Sequence, residues 1–290
     1  MKSVVITGVS TGIGWGTAKV LVQKGFRVFG SVRRQADADR VSSELGTLFR
    51  PLIFDITDQQ AVRRAASAVE SLLEGEALAG LVNNAGVAVP APLLYQPIGE
   101  FQKQLEVNLV GPLIVTQAFA RLLRTTPGKS GAPGSARASG RVINISSIGG
   151  KIAGPFIGAY HASKFGLEGL SETLRRELLL HGIDVIVVGP GGVRTAIWQK
   201  AKEADMSAYA ETEYGPSLGP FRTYMTNTGL RGYPPEHVGH VIWRALTTAH
   251  PRARYGYSVV PHPMRAWVLP RILPVRVLDR MIAGNMGWRT

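Results

Sequence analysis

The sequence predicts an α/β protein: a single doubly wound parallel sheet of about seven strands, with helices on both faces. Three observations predict it. Short apolar runs suited to buried strands alternate with stretches of helical periodicity over most of the chain. The first run passes through a glycine-rich turn directly into the first helical stretch. The clusters of chemically capable residues fall at the carboxyl ends of the strand runs, where sheets of this kind bind ligands.

Taken in order, residues 3–7 form the first strand and 12–24 the first helix. Between them lie Gly8, Gly12 and Gly14, spaced Gly-x-x-x-Gly-x-Gly in the string Thr-Gly-Val-Ser-Thr-Gly-Ile-Gly. Such glycines let the backbone approach a pyrophosphate, and the free amides at the helix start attract its charge. The next strands are 27–31, 52–54, 81–83, 141–146, 184–188 and 257–260. The helices between them lie near 36–45, 58–74, 98–124, 158–181 and 235–249. Residues 125–140, rich in Gly, Ser, Pro and Ala, read as a flexible surface loop.

The end of the fifth strand carries the chemistry. Ser147 precedes Tyr160 by thirteen residues, and Lys164 follows Tyr160 by four. Four residues is about one helical turn, so Tyr160 and Lys164 share a face. A phenol ordinarily titrates near 10, and an ammonium one turn away favours its ionised form. A hydroxyl entering from the strand end binds the oxygen that exchanges the proton. These parts suit the interconversion of an alcohol and a carbonyl.

Six motifs then stand in order: the glycine string over 7–14, Asn-Asn-Ala-Gly over 83–86, Asn108, Ile-Ser-Ser over 145–147, Tyr-His-Ala-Ser-Lys over 160–164, and Pro-Gly-Gly-Val-Arg-Thr over 190–195. On these motifs the chain, from residue 2 to about 195, resembles the classical short-chain dehydrogenase/reductase family and its Rossmann-type fold. The resemblance implies a nicotinamide cofactor at the glycine turn, contacted by Gly8, Ser10, Thr11, Gly12, Ile13 and Gly14. It implies that Asp55 binds the adenine amino group with Ile56 beside the ring; Asp55 as a helix cap is the alternative. By resemblance Asn83, Ala85 and Gly86 line the ribose, with a structural role for the Asn83 amide also open. Pro190, Gly191, Val193 and Thr195 resemble the segment that packs on the nicotinamide and holds its carboxamide. Tyr160 becomes the general acid/base, Ser147 the donor to the substrate oxygen, and Lys164 the ligand of the nicotinamide ribose. Asn108 holds a water linking Lys164 to solvent. His161 points about 100° away from its catalytic neighbour and reads as a packing or interface residue.

Cofactor choice follows the second strand. NAD-preferring relatives end it with an acidic residue, whereas here Val32 is followed by Arg33 and Arg34. Guanidinium binds a 2′-phosphate that a carboxylate would repel, so NADP(H) is expected, Arg33 its ligand, with NAD(H) second.

Composition bounds the rest. The 290 residues, 45% hydrophobic, suit one domain over 1–261 and an extension over 262–290. Without cysteine there are no disulfides or thiolate metal sites, and the six histidines are scattered, so no metal is expected. No apolar stretch has transmembrane length and the first strand begins at once, which predicts a cytoplasmic protein without a signal peptide. The net charge of +13 comes without a nucleic-acid motif and reads as solvated surface that also steers an anionic cofactor.

Residues 196–233 read as a substrate lid, carrying Trp198, Met206, Tyr209, Tyr214, Phe221, Tyr224 and Met225. That set would either cover a lipophilic substrate or form helix core and subunit contacts. The extension has five arginines and one acidic residue, Asp279, and resembles that of the retinol/steroid dehydrogenase-like branch. Pro261, Pro263, Pro270 and Pro274 break it into short pieces, which favours packing on the protein over a membrane-surface helix. The reading is an NADP(H)-dependent alcohol/carbonyl oxidoreductase for a small, lipophilic substrate, assembled by family resemblance as a homodimer or homotetramer. A 3-oxoacyl thioester reductase and a non-catalytic NADP(H)-sensing protein are the alternatives.

Overall fold

The computed structural model describes residues 1–124 and 140–288; the 125–140 loop lies, but for its last residue, outside them. The strands are β1 (Ser3–Ile6), β2 (Arg27–Val32), β3 (Phe49–Ile53), β4 (Gly80–Asn83), β5 (Arg141–Ile145), β6 (Asp184–Val188) and β7 (Arg254–Tyr255). They pair in parallel as one sheet, in the order β3-β2-β1-β4-β5-β6-β7. The chain winds outward from β1 in one direction and resumes at β4 in the other. A crevice therefore opens between the carboxyl ends of β1 and β4.

Alternation along the strands builds two cores. Val4, Ile6, Val82, Ile143, Ile145, Ile186 and Val188 face one side, against α1 (Gly12–Gln23), α2 (Gln35–Leu45) and α9 (Pro235–Thr247). Val5, Leu81, Val142 and Val185 face the other, against α3 (Gln59–Leu73) and α5 (Gly111–Phe119). Residues one apart on a strand point to opposite faces, so near-continuous apolar runs are what a sheet covered on both sides requires.

Three elements differ from the sequence expectation. The third strand begins at Phe49, because Arg50 and Pro51 are tolerated on an edge strand, and Phe49 packs under Gly30. The seventh strand is Arg254–Tyr255, while Tyr257–Val259 is a 3₁₀ turn whose Val259 is buried outside the sheet. Burial of a short apolar run looks the same in sequence for either conformation. The expected helix over 98–124 is divided into α4 (Ile98–Leu105), a π turn over Glu106–Val110, α5 and a short 3₁₀ turn. Pro112 lacks the amide that a continuous α-helix would use, and the wider turn accommodates it.

Beyond α6 (Gly158–Glu177), the 196–233 segment forms α7 (Ala196–Glu203) and α8 (Gly215–Leu230). Trp198, Met206, Tyr209, Tyr214, Phe221 and Met225 gather there with Phe156 and Met286 in one apolar cluster, while Tyr224 is exposed. Most of the aromatic set thus forms a core for this segment. The extension folds as a π turn over Met264–Val268 that runs on into α10 (Leu269–Ile272), with Pro270 inside it, and α11 (Val275–Asn285), the break falling at Pro274 and not at Pro270. It packs on its own chain through Met286 and through Trp288, whose Nε1 donates to Ser217 Oγ at 2.5 Å. Ile272, Val275 and Met281 remain exposed.

Candidate active site

The glycine turn is shaped by its backbone. Gly8 and Gly12 have φ of 71° and 62°, a left-handed region that side chains disfavour. Gly14 has no room for one: a Cβ there would stand 2.2 Å from Gly8 O. The Thr7 hydroxyl accepts from the amides of Asn84 and Ala85, and the Asn84 side chain donates to Thr7 O and Gly8 O, closing the turn on β4. Thr11 starts α1 without a side-chain capping bond, and the first turn carries no acidic residue. The amide end of α1 at Ile13 and Gly14 is therefore positive and suited to a phosphate.

Cations border this turn. Arg33 follows β2, is largely exposed, and lies 4.0 Å from Asp55. Asp55 also accepts from the Thr57 amide and hydroxyl, while Asp58 caps α3. Ile56 is buried beneath, against Gly111. Arg34 turns to Asp37 at 2.8 Å. Arg40, which sequence reasoning missed, reaches from α2 to the glycine turn and donates to Ser10 O at 2.5 Å. Only the packing of α2 beside α1 brings it there.

Two asparagines serve the scaffold. Asn83 is buried and donates to Thr116 Oγ1 at 3.0 Å and Asn144 Oδ1 at 2.8 Å, so its amide ties β4 to β5 and α5. Its side chain points into the sheet layer, in line with the structural alternative. Asn108, in the π turn, accepts from Val87 N and donates to Val87 O and Ser163 Oγ. It borders Gly86, where a Cβ would lie 3.0 Å from Asn108 Oδ1 and 3.8 Å from Lys164 Nζ. Ala85 meets Gly8 across the crevice.

At the end of β5, Ser147 Oγ accepts from Gly149 N at 3.0 Å and stands close enough to the Tyr160 phenol to act on its pKa. Lys164 lies one turn along α6, buried, with Nζ 5.8 Å from the Tyr160 ring centre. Its ammonium donates to Ile145 O at 2.8 Å. Burial brings its pKa down to about 8. The phenol differs from the sequence expectation. Burial raises its pKa above the ordinary phenol value, with the Ser147 side chain acting in the opposite sense, and the Lys164 ammonium is turned to Ile145.

The 190–195 segment closes the crevice. Pro190 O accepts from Ile148 N, linking it to the Ser147 turn, and Gly191 N donates to Val259 O. Val193 is buried, with its carbonyl held by Trp198 Nε1 at 2.6 Å. Thr195 faces the glycine turn, 3.2 Å from where a Gly12 Cβ would stand. The glycine turn, Ser147, Tyr160, Lys164 and Thr195 thus border one cleft at the strand carboxyl ends.

The family model described as short chain dehydrogenase matches residues 2–206. The NADPH-dependent 3-dehydrocapnine reductase of Ornithobacterium rhinotracheale is 36% identical, over 99% of this chain and 98% of its own. Retinol dehydrogenase 5 of Mus musculus is 34% identical, over 96% of this chain and 86% of its own. A short-chain dehydrogenase structure from Streptomyces avermitilis superimposes with a TM-score of 0.73 at 28% identity, covering 99% of this chain and 95% of that one.

Proposed function

The chain belongs to the short-chain dehydrogenase family and is an oxidoreductase, and on that premise we propose that it interconverts an alcohol with its ketone or aldehyde using NADP(H). The observation that carries the reading is Ser147 beside the Tyr160 phenol, with buried Lys164 one turn away and the glycine turn across the cleft. Relatives named as an NADPH-dependent reductase and a retinol dehydrogenase support it, and the second supports a lipophilic substrate.

The residues fit the cofactor. Gly8, Gly12 and Gly14 leave a surface without side chains beside the uncapped start of α1. Arg33 is exposed at the end of β2 and Arg40 touches the turn, so guanidinium charge stands where a 2′-phosphate would need it. When bound, NADP(H) supplies or accepts the hydride at the substrate carbon. Tyr160 gives its proton to the carbonyl oxygen in reduction and removes it from the alcohol in oxidation. Ser147 donates to the same oxygen and stabilises the charge that develops there. Lys164 holds a proton beneath the phenol, near Gly86 and Asn108. The 196–233 segment covers the substrate side, and the domain ends near residue 261. The location is cytoplasmic and the assembly a homodimer or homotetramer; among the described residues no helix is long and apolar enough to cross a membrane.

The test is an NADPH-oxidation screen over decanal, 2-decanone, a steroid ketone, all-trans-retinal and a 3-oxoacyl thioester. Turnover of an aldehyde or ketone is expected; preference for the thioester moves the substrate class, and turnover of none removes the catalytic reading. The Michaelis constant for NADPH is expected to lie below that for NADH. Arg33→Ala raises the NADPH value by roughly ten-fold, the worth of one charge-assisted hydrogen bond. A lower constant for NADH sinks the cofactor assignment.

Gly14→Ala tests the glycine turn. The added methyl meets a backbone carbonyl that cannot swing aside. A loss of about 1–3 kcal/mol in denaturant unfolding is expected, together with weaker NADPH binding. Unchanged stability and binding would show that the turn yields.

A further inference from the structure

We propose that His161 is a positioning residue that sets the Ser147 hydroxyl through Gly149. The inference rests on the catalytic reading of Ser147 and Tyr160 given above. It starts from the direction of the side chain. His161 follows Tyr160 on α6 and turns about 100° from it, away from the face shared with Lys164. The imidazole is buried beneath the loop that joins Ser147 to α6.

There it meets the loop at two points. Gly154 N donates to Nε2 at 2.9 Å, and Nδ1 stands 2.9 Å from Gly149 O. A backbone amide only donates, so Nε2 carries no proton. A carbonyl only accepts, so Nδ1 carries one. The two contacts select a single neutral tautomer, and both sides of the loop are stapled to α6 through one ring.

The staple leads directly to the active hydroxyl. Gly149, whose carbonyl is held by His161, donates from its own amide, in the peptide on the other side of its Cα, to Ser147 Oγ at 3.0 Å. With a lone pair engaged there, the Ser147 proton is directed elsewhere, toward the neighbouring Tyr160 phenol, whose pKa the Ser147 side chain acts to lower. The chain of contacts runs from His161 to Gly149, Ser147 and Tyr160. Gly149 is matched to it: a Cβ at that position would lie 2.8 Å from His161 Nδ1 and 3.2 Å from Tyr160 Cε1. Glycine is what lets the ring approach the peptide.

Protonation undoes the arrangement. A proton on Nε2 would aim a second donor at the Gly154 amide and break that bond. Burial holds the imidazole below the ordinary histidine range, with the Gly149 carbonyl acting in the opposite sense. The titratable group facing it on α6 is Tyr160, whose ring stands edge-on at 6.0 Å. On the loop, Lys151 turns to Glu168 at 3.5 Å, and Glu168 is also held by Arg254. The staple therefore persists through neutral pH and fails on the acid side, taking the Ser147 geometry with it.

Long-range proton–nitrogen NMR of the imidazoles in the ligand-free full-length protein reads the tautomer without any turnover. The resonance absent from a His161→Asn variant is expected to show a protonated Nδ1 and a bare Nε2, titrating below the ordinary histidine value. A protonated Nε2 near neutral pH, or an ordinary titration, overturns the proposal. Kinetics with NADPH and the carbonyl reduced fastest in the screen supply the second arm. His161→Phe is expected to lower kcat by roughly ten-fold, with the NADPH dissociation constant unchanged. His161→Asn places an amide donor near the Nδ1 position; it is expected to recover most of that loss and to lack the acid limb of the native profile. Equal losses in both variants, or an acid limb in His161→Asn matching the native one, overturn the proposal. If His161→Phe fails to bind NADPH, the Asn profile and the NMR decide. Absence of turnover in the native protein would remove the functional reading and leave the tautomer result standing.

Discussion

Replacing Tyr160 by phenylalanine is expected to lower kcat by roughly two to four orders of magnitude while NADPH still binds. The substitution removes one oxygen and keeps the ring. That ring packs edge-on against His161 and lies 5.8 Å from the Lys164 ammonium, so the start of α6 keeps its seat. What is lost is the group proposed to exchange a proton with the substrate oxygen. Ser147 retains its bond from Gly149 and can still polarise a carbonyl, but as a neutral hydroxyl it has no matched acid behind it. Steady-state rates with the best carbonyl and a fluorescence titration with NADPH measure the two effects separately. Near-native turnover in this variant would refute the mechanism; loss of cofactor binding would show that the phenol oxygen is structural.

Lys164→Met is expected to abolish most activity and to change the pH dependence of stability in a defined sense. The ammonium is buried at the cost of its hydration, and its pKa falls from 10.5 to about 8 in the folded protein. Because the folded value lies below the unfolded one, the unfolded chain binds more protons between about 8 and 10.5. Stability through this group therefore rises with pH across that window, by on the order of 1 kcal/mol per pH unit. Below about 8 the cost of the buried charge is fully present, and above 10.5 it is gone. Methionine removes the charge and with it the rise. It also leaves Ile145 O without its donor, which offsets part of the gain near neutral pH. Denaturant unfolding of the ligand-free proteins on either side of the window is the measurement. Parallel pH profiles for the native and variant proteins would show that Lys164 does not titrate there.

Local features of the site were legible before the structure. The Gly8–Gly12–Gly14 spacing reports on a turn closed within a few residues, and the Tyr160–Lys164 spacing on a single helical turn. Both depend on short-range geometry, which sequence separation encodes directly. The seventh strand was less legible, because Val259 and Val260 are equally buried in a 3₁₀ turn or a strand. The division of the 98–124 helix turned on the wide turn holding Asn108, whose partners Val87 and Ser163 come from two other segments. In the same way, Arg40 reaches Ser10 across thirty positions and Asn83 reaches Asn144 across sixty-one.

By itself, the sequence determined the fold class and the family, and it named the residues proposed to exchange a proton and receive a cofactor, since each rests on apolar periodicity or on spacings within one turn or strand end. The tertiary structure alone decided how those residues are held. It showed that burial raises the phenol pKa while the Lys164 ammonium turns to Ile145, that Asn83 braces the sheet, and that the aromatic 196–233 segment builds its own core with Phe156 and Met286. The physical reason is common to all three. Hydrogen-bond direction and desolvation depend on which distant atoms fill the space around a group, and only the folded chain brings them there.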